Sequence, residues 1–211
     1  MTIELIDSHA HLDAEEFSAD LPEVLQRAAE AGVVSIVAPG IDLESSRRLV
    51  SLAHQYDRIY VAVGIHPHQA DGFTGQEITE LRELAGDEKV VAIGEIGLDY
   101  EREYTPRQDQ RRALRAQLEL ACELSLPVIL HHRQAKEDLW SLLSEAGPDL
   151  RGVFHAFAGD EAWARRCLET GFYLSIAGPV TFLNARKLQA TLARLPLESL
   201  LLETDSPYLA P

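Results

Sequence analysis

The chain has 211 residues, of which 46% are hydrophobic and 25% charged, and 19 basic against 34 acidic residues leave a net charge of −15. That length suits one sizeable core and is short for two, so residues 1–211 are expected to form a single domain. The acidic balance argues against a large phosphate-neutralising surface, and no run approaches the roughly 20 apolar residues of a membrane span.

Met1-Thr2-Ile3-Glu4 shows neither a basic segment nor an apolar one, so no signal peptide is read there. Cys122 and Cys167 form no CxxC pair. They read as small, reduced core residues, and the expected compartment is the cytoplasm.

Taken in chain order, eight short apolar, β-branched runs mark predicted strands: Leu5–His11, Val33–Gly40, Ile59–His66, Val90–Gly97, Pro127–Arg133, Gly152–Phe157, Phe172–Gly178 and Leu200–Asp205. Helical patterns fall between them. Leu21, Val24, Leu25 and Ala28 make an apolar stripe in the first, over Pro22–Ala31. The second, Leu43–Tyr56, follows Asp42, a good N-cap. Gln76–Leu84 comes next, and Thr105-Pro106-Arg107-Gln108 has the capping-box pattern at the head of a helix reaching Leu124. Lys136–Glu145, Glu161–Thr170 and Ala185–Leu195 complete the set.

Strand then helix, repeated every 25–30 residues or so, requires a parallel sheet with right-handed crossovers. Eight such strands predict an α/β fold of the (β/α)8 TIM-barrel type. An open dinucleotide-binding sheet would want a glycine-rich first turn, and Asp7-Ser8-His9-Ala10-His11 is not one. By strand parity Leu201, Glu203 and Asp205 face the barrel, leaving Leu200 and Leu202 outside with no eighth helix after them. Further residues, or self-association with a second chain, are expected to cover that patch.

Seven of the eight histidines lie at predicted strand ends: His9, His11, His66, His68, His131, His132 and His155. Only His54 sits in a helix, where a surface role is expected. Strand C-termini form the floor of a barrel active site. His9 and His11, two residues apart on one strand, share a face with Asp7, which is placed to orient a ligand from behind. Glu95, between Gly94 and Gly97, is a carboxylate that must be paired or bound to metal if buried. Asp99 is read as a supporting group or a helix cap. His131 and Arg133 share a parity that His132 lacks, so His132 is expected against the barrel wall. Glu203-Thr204-Asp205 ends the eighth strand, with Asp205 the natural carboxylate ligand and proton acceptor.

Counting donors assigns His9, His11, Glu95 and Asp205 to one cation and His131 and His155 to a second, with Glu95 able to bridge. Six ligands exceed one tetrahedral ion and favour two divalent cations, with Zn, Mn, Mg or Co left open. Two cations about 3.5–4 Å apart can activate water and clamp the attacking and leaving oxygens of a phosphoryl displacement.

These runs resemble the TatD family of metal-dependent deoxyribonucleases, related to the amidohydrolase barrels. The similarity rests on DSHAHLD (Asp7–Asp13), GIHPHQA (Gly64–Ala70), GEIGLDY (Gly94–Tyr100), PVILHHR (Pro127–Arg133), GVFHAFAG (Gly152–Gly159), GPVTFLNARKLQ (Gly178–Gln189) and LLLETDSPYLAP (Leu200–Pro211), in family order. The resemblance implies a barrel with divalent metals that hydrolyses DNA phosphodiesters, often from the 3′ end of single strands. It carries the ligand role to His9, His11, Glu95, His131, His155 and Asp205, and phosphate contacts to His66, Arg133 and Asn184. The chain departs from the family at Gln134, where an acid is usual, at Ala156 in place of a cysteine, and at Leu183 in place of a lysine. The family also continues past this point with a basic stretch and a helix. Two other readings stay open: an amidohydrolase cleaving a C–N or C–O bond of a small molecule, and a shortened metal-binding barrel without turnover.

Overall fold

The computed structural model describes residues 3–210; Met1, Thr2 and Pro211, which bound the expected 1–211 domain, lie outside the described residues. Eight strands pair in sequence order, each parallel to the next. They are β1 (Leu5–Asp7), β2 (Val33–Pro39), β3 (Ile59–Val63), β4 (Val90–Asp99), β5 (Val128–Arg133), β6 (Gly152–Phe154), β7 (Tyr173–Ile176) and β8 (Leu200–Leu202). Seven α-helices alternate with them: α1 (Leu21–Glu30), α2 (Leu43–Ala53), α3 (Glu77–Leu84), α4 (Arg107–Leu124), α5 (Lys136–Ala146), α6 (Glu161–Glu169) and α7 (Arg186–Leu192). This is the expected (β/α)8 order.

The sheet closes between its two outer strands. Ser8 N–H donates to the Leu202 carbonyl at 3.0 Å, Asp205 N–H to His9 at 2.8 Å and His11 N–H to Ser206 at 2.7 Å. Asp7 adds a side-chain clasp, accepting from the Thr204 amide at 3.0 Å and hydroxyl at 2.7 Å. The barrel interior holds a small layer of Ala62, Ala92, Ile129 and Val153, with Val37 and Leu201 against it. The larger core lies outside the sheet, under the helices, and includes Ile36, Val61, Ile93, Leu130 and Phe154. Leu202 is 58% exposed and Ile6, on the neighbouring β1, 57%, so the outer face of β8 is uncovered as parity predicted, while Leu200 packs on the helix-side core.

Two local expectations are corrected, and the expected Asp42 N-cap forms. The capping box at Thr105 does not form: Pro106 is the N-cap without a side-chain bond. Thr105 instead donates to the His68 carbonyl at 3.0 Å. Cys167 is buried, but Cys122 is exposed, so only one cysteine is a core residue. The capping box is found at α2, where Asp42 accepts from Ser45 N–H at 2.7 Å and the Ser45 hydroxyl faces back to the N-cap amide. Among the described residues no helix is long and apolar enough to cross a membrane.

Candidate metal centre

Short inward-facing strand ends converge on Glu95. The local fold of β4 makes this possible. Ala92 lines the barrel interior, and strict alternation would turn Gly94 inward and Glu95 outward. The β4–β5 register shifts between Ile93 and Ile96, whose side chains both join the outer core, and this bulge points Glu95 into the barrel. Gly94 and Gly97 allow the crowding: a Cβ at Gly97, whose φ is +152°, would meet the His131 carbonyl oxygen at 1.9 Å, and one at Gly94 would meet Ile129 Cβ at 2.7 Å.

The two oxygens of Glu95 face two sets of donors. Oε2 lies 3.3 Å from His9 Nε2 and 3.6 Å from His11 Nε2. Asp205 Oδ1 closes that set at 3.6 and 3.4 Å from the same nitrogens, which are themselves 3.2 Å apart. Oε1 lies 2.9 Å from both His131 Nδ1 and His155 Nε2, with 3.2 Å between those two. The other expected ligands thus lie around the two oxygens of Glu95. His9 with His155 and Glu203, and Glu95 with His66 and His131, form further close groups. A tetrahedral cation with bonds of about 2.0–2.1 Å has ligand edges of about 3.4 Å, so each set can hold such an ion. Clustered imidazole nitrogens and carboxylates without bulky groups between them are a donor set suited to divalent transition metals.

The far sides of the rings are held as well. Asp99 is fully buried and takes His131 Nε2 at 3.3 Å and His68 Nε2 at 2.8 Å, together with the amides of Glu101 and Arg102 at 3.0 and 3.1 Å. Burial resists its charge, but those donors overcome it and hold the carboxyl well below the usual range. Gln110, buried on α4, fixes this loop by bonding both the amide and the carbonyl of Asp99. Glu203 Oε1 accepts the Ala156 amide at 2.7 Å and stands 3.6 Å from His155 Nδ1. Glu95 is likewise held ionised: burial opposes the charge, and the charge of His155 and the hydrogen bond from His131 outweigh it.

Among the other histidines, His66 is the most informative. Its Nδ1 accepts the His68 amide at 3.1 Å, and burial lowers its pKa to about 4. The neutral ring then carries its proton on Nε2, which faces Glu95 Oε1 at 3.4 Å. Although His66 clusters with Glu95 and His131, it presents a donor rather than a lone pair. His132 has the parity expected of it and packs on Trp163, with ring centroids 5.7 Å apart. His54 is exposed and pairs with Asp87 at 2.8 Å. Arg133 lines the mouth above His131, whereas Asn184 sits in an exposed turn before α7 and does not line it. Asp7, expected behind the imidazoles, holds no ring; it accepts His9 N–H at 3.2 Å and the Thr204 amide and hydroxyl across the seam. The supporting carboxylates are Asp99 and Glu203; for the latter, the parity it shares with Asp205 was the available signal.

Above this floor opens a cavity of about 1260 Å³, lined among others by His11, His66, Arg133, Lys136 and Tyr208. Residues 6–211 match the family described as TatD related DNase. The chain belongs to that family.

Its relatives include the uncharacterized metal-dependent hydrolase YabD of Bacillus subtilis, 43% identical over 98% of this chain and 82% of YabD. The 3′-5′ ssDNA/RNA exonuclease TatD of Cronobacter sakazakii is 39% identical over 98% of this chain and 80% of its own length. The crystal structure of YjjV, a TatD homolog from Escherichia coli, superposes with a TM-score of 0.92 at 37% identity, covering 99% of this chain and 82% of YjjV. The protein is thus a metal-dependent hydrolase of the TatD family, built on the TatD barrel.

Proposed function

We propose that this TatD-family chain hydrolyses phosphodiester bonds of DNA, removing nucleotides from the 3′ end of single strands, with two divalent cations held by His9, His11, Glu95, His131, His155 and Asp205. The division of the Glu95 carboxylate between two donor sets carries this reading, because it is the arrangement a pair of cations requires. The name of the Cronobacter relative supports the substrate. When bound, the cations supply Lewis acidity toward the phosphoryl oxygens and lower the pKa of water.

The protein's own groups do the rest. Asp205 takes the proton of the attacking water at Oδ2, the oxygen not turned toward His9 and His11. His66, neutral with its proton on Nε2, donates to a phosphoryl oxygen, and the forked Arg133 guanidinium meets another from the rim. Asp99, bonded to His131 Nε2, keeps that ring from rotating, and Glu203 lies beside His155.

Cleavage of a C–N or C–O bond in a small molecule is the second reading. A modified lysine bridge, common in such barrels, has no counterpart here, since Lys89 lies at the opposite end of β4 and donates to the Asp57 carbonyl at 3.0 Å. The test is hydrolysis of 3′- and 5′-labelled single-stranded DNA with Mg²⁺, Mn²⁺ or Zn²⁺, and with chelator. Stepwise, chelator-sensitive loss from the 3′ end is expected. No cleavage by protein carrying two cations would overturn the reading and direct the search to amides and esters, or to a barrel without turnover.

A further inference from the structure

The walls of the cavity differ in charge. On the β8–β1 side Tyr208 and Leu209 line it, 53% and 39% exposed, and the nearby Arg48 is committed to Asp13 at 2.9 Å and Glu44 at 2.7 Å. On the β4–α4 side Arg107 is paired with Glu103 and lies over the Tyr100 ring. The β5–β7 side is different. Arg133, 3.6 Å from Glu101, lines it from the end of β5, and Lys136 and Lys187 from the start of α5 and from α7, alongside Glu137 and Asp160. Lys136 Nζ stands 3.9 Å from Asp160, and Lys187 has no ion-pair partner among the described residues. Asp160 is occupied as the N-cap of α6, accepting Trp163 N–H at 2.9 Å. That bond and then the fields of both lysines hold its carboxyl below the usual range.

We propose that Lys136 and Lys187 bind the phosphate one nucleotide to the 5′ side of the bond being cleaved. Resting on the phosphodiesterase reading, this makes the preferred substrate a strand with at least two phosphates rather than an isolated diester. The direction follows from the wall itself. His131 and Arg133 share the inner face of β5, two residues and therefore about 7 Å apart, and Lys136 follows three residues later at the start of α5, lining the same cavity as Lys187. The opposite lip is apolar and suits a base or sugar. On a chain of net charge −15, Lys187, outside every ion pair among the described residues, and Lys136, whose Asp160 partner already caps α6, form a local exception that a polyanion would find.

The test compares a thymidine dinucleotide carrying a 5′-phosphate with the same dinucleotide lacking it, using bis(4-nitrophenyl) phosphate as a one-phosphate reference. The cation-loaded wild type is expected to favour the 5′-phosphorylated dinucleotide by about fivefold in kcat/KM, the scale of two exposed ion pairs. Lys136→Ala combined with Lys187→Ala should erase that preference, and the double arginine variant should keep it. On longer single strands the double alanine variant should lower the slope of log(kcat/KM) against log salt by about 0.7 per lysine. Both side chains are at the surface, and an unchanged melting temperature verifies the fold. A preference that the double alanine variant retains, or a wild type indifferent to the second phosphate while cleaving the reference ester, would overturn the subsite alone. Failure to cleave any of the three would refute the phosphodiesterase reading and the subsite with it.

Discussion

Asp99 Oδ2 stands 3.3 Å from His131 Nε2, while the other nitrogen of the same ring lies 2.9 Å from Glu95 Oε1. An imidazole that gives its Nε2–H to a carboxylate keeps its lone pair on Nδ1, directed at the cation position, and cannot rotate away. Asp99→Ala is predicted to weaken metal binding about 10–100-fold at the set containing His131 and His155. Competition against a chromophoric chelator would measure it. Equal affinity in variant and wild type would show that Asp99 serves only the loop it caps through Glu101 and Arg102.

Glu95→Gln tests the bridge. The substitution keeps the side-chain shape, removes the charge that both donor sets share, and turns one oxygen into a donor facing imidazoles. Loss of both cations and of hydrolysis is predicted, with metal content per protein read by elemental analysis. Two retained cations and an undiminished rate would mean that the histidines and Asp205 suffice.

How much of this was readable beforehand differs by residue. His131 is reached by strand parity alone, because β5 keeps simple alternation to its end. His9, His11 and Asp205 lie just past the observed ends of β1 and β8, where parity gave the right face although the backbone is no longer a regular strand. Glu95 is not reached by parity: it and Ala92 both face inward three residues apart, and only the bulge in β4 reconciles them. Asp99 was legible as a polar residue on a loop, but its bond to His131 depends on how Gln110 draws that loop down. The capping pattern at Thr105 failed because the buried threonine hydroxyl is claimed by the His68 carbonyl, a partner from a distant loop.

Asp205 is the next target. Its backbone φ of +55° places it in the left-handed region, sparsely used outside glycine but tolerated by aspartate, and its amide donates to His9 across the barrel seam. Asp205→Asn preserves both features and removes the proton acceptor. The predicted result is an unchanged melting temperature with turnover lowered about 10²–10⁴-fold. Near-normal turnover would assign the base elsewhere.

His132 offers the control that separates the two faces of β5. Its ring lies on Trp163, its Nε2 has no hydrogen-bond partner among the described residues, and burial, followed by the fields of Lys136 and His131, lowers its pKa to about 4. Its ordinary value of 6.5 applies in the unfolded chain. Between those values the unfolded state binds a proton that the folded state does not, so stability rises with pH. This contribution is complete above about pH 6.5 and is lost as pH falls toward 4. In the metal-free protein, His132→Leu should flatten the stability curve across that window, with a gain on the order of 1–2 kcal/mol at pH 5 relative to its effect at pH 8. Chemical denaturation at the two pH values measures the difference directly. His131→Leu, on the inner face, should instead abolish metal binding at its set. A loss of metal in the His132 variant as severe as in the His131 variant would mean that the outward ring also reaches the centre.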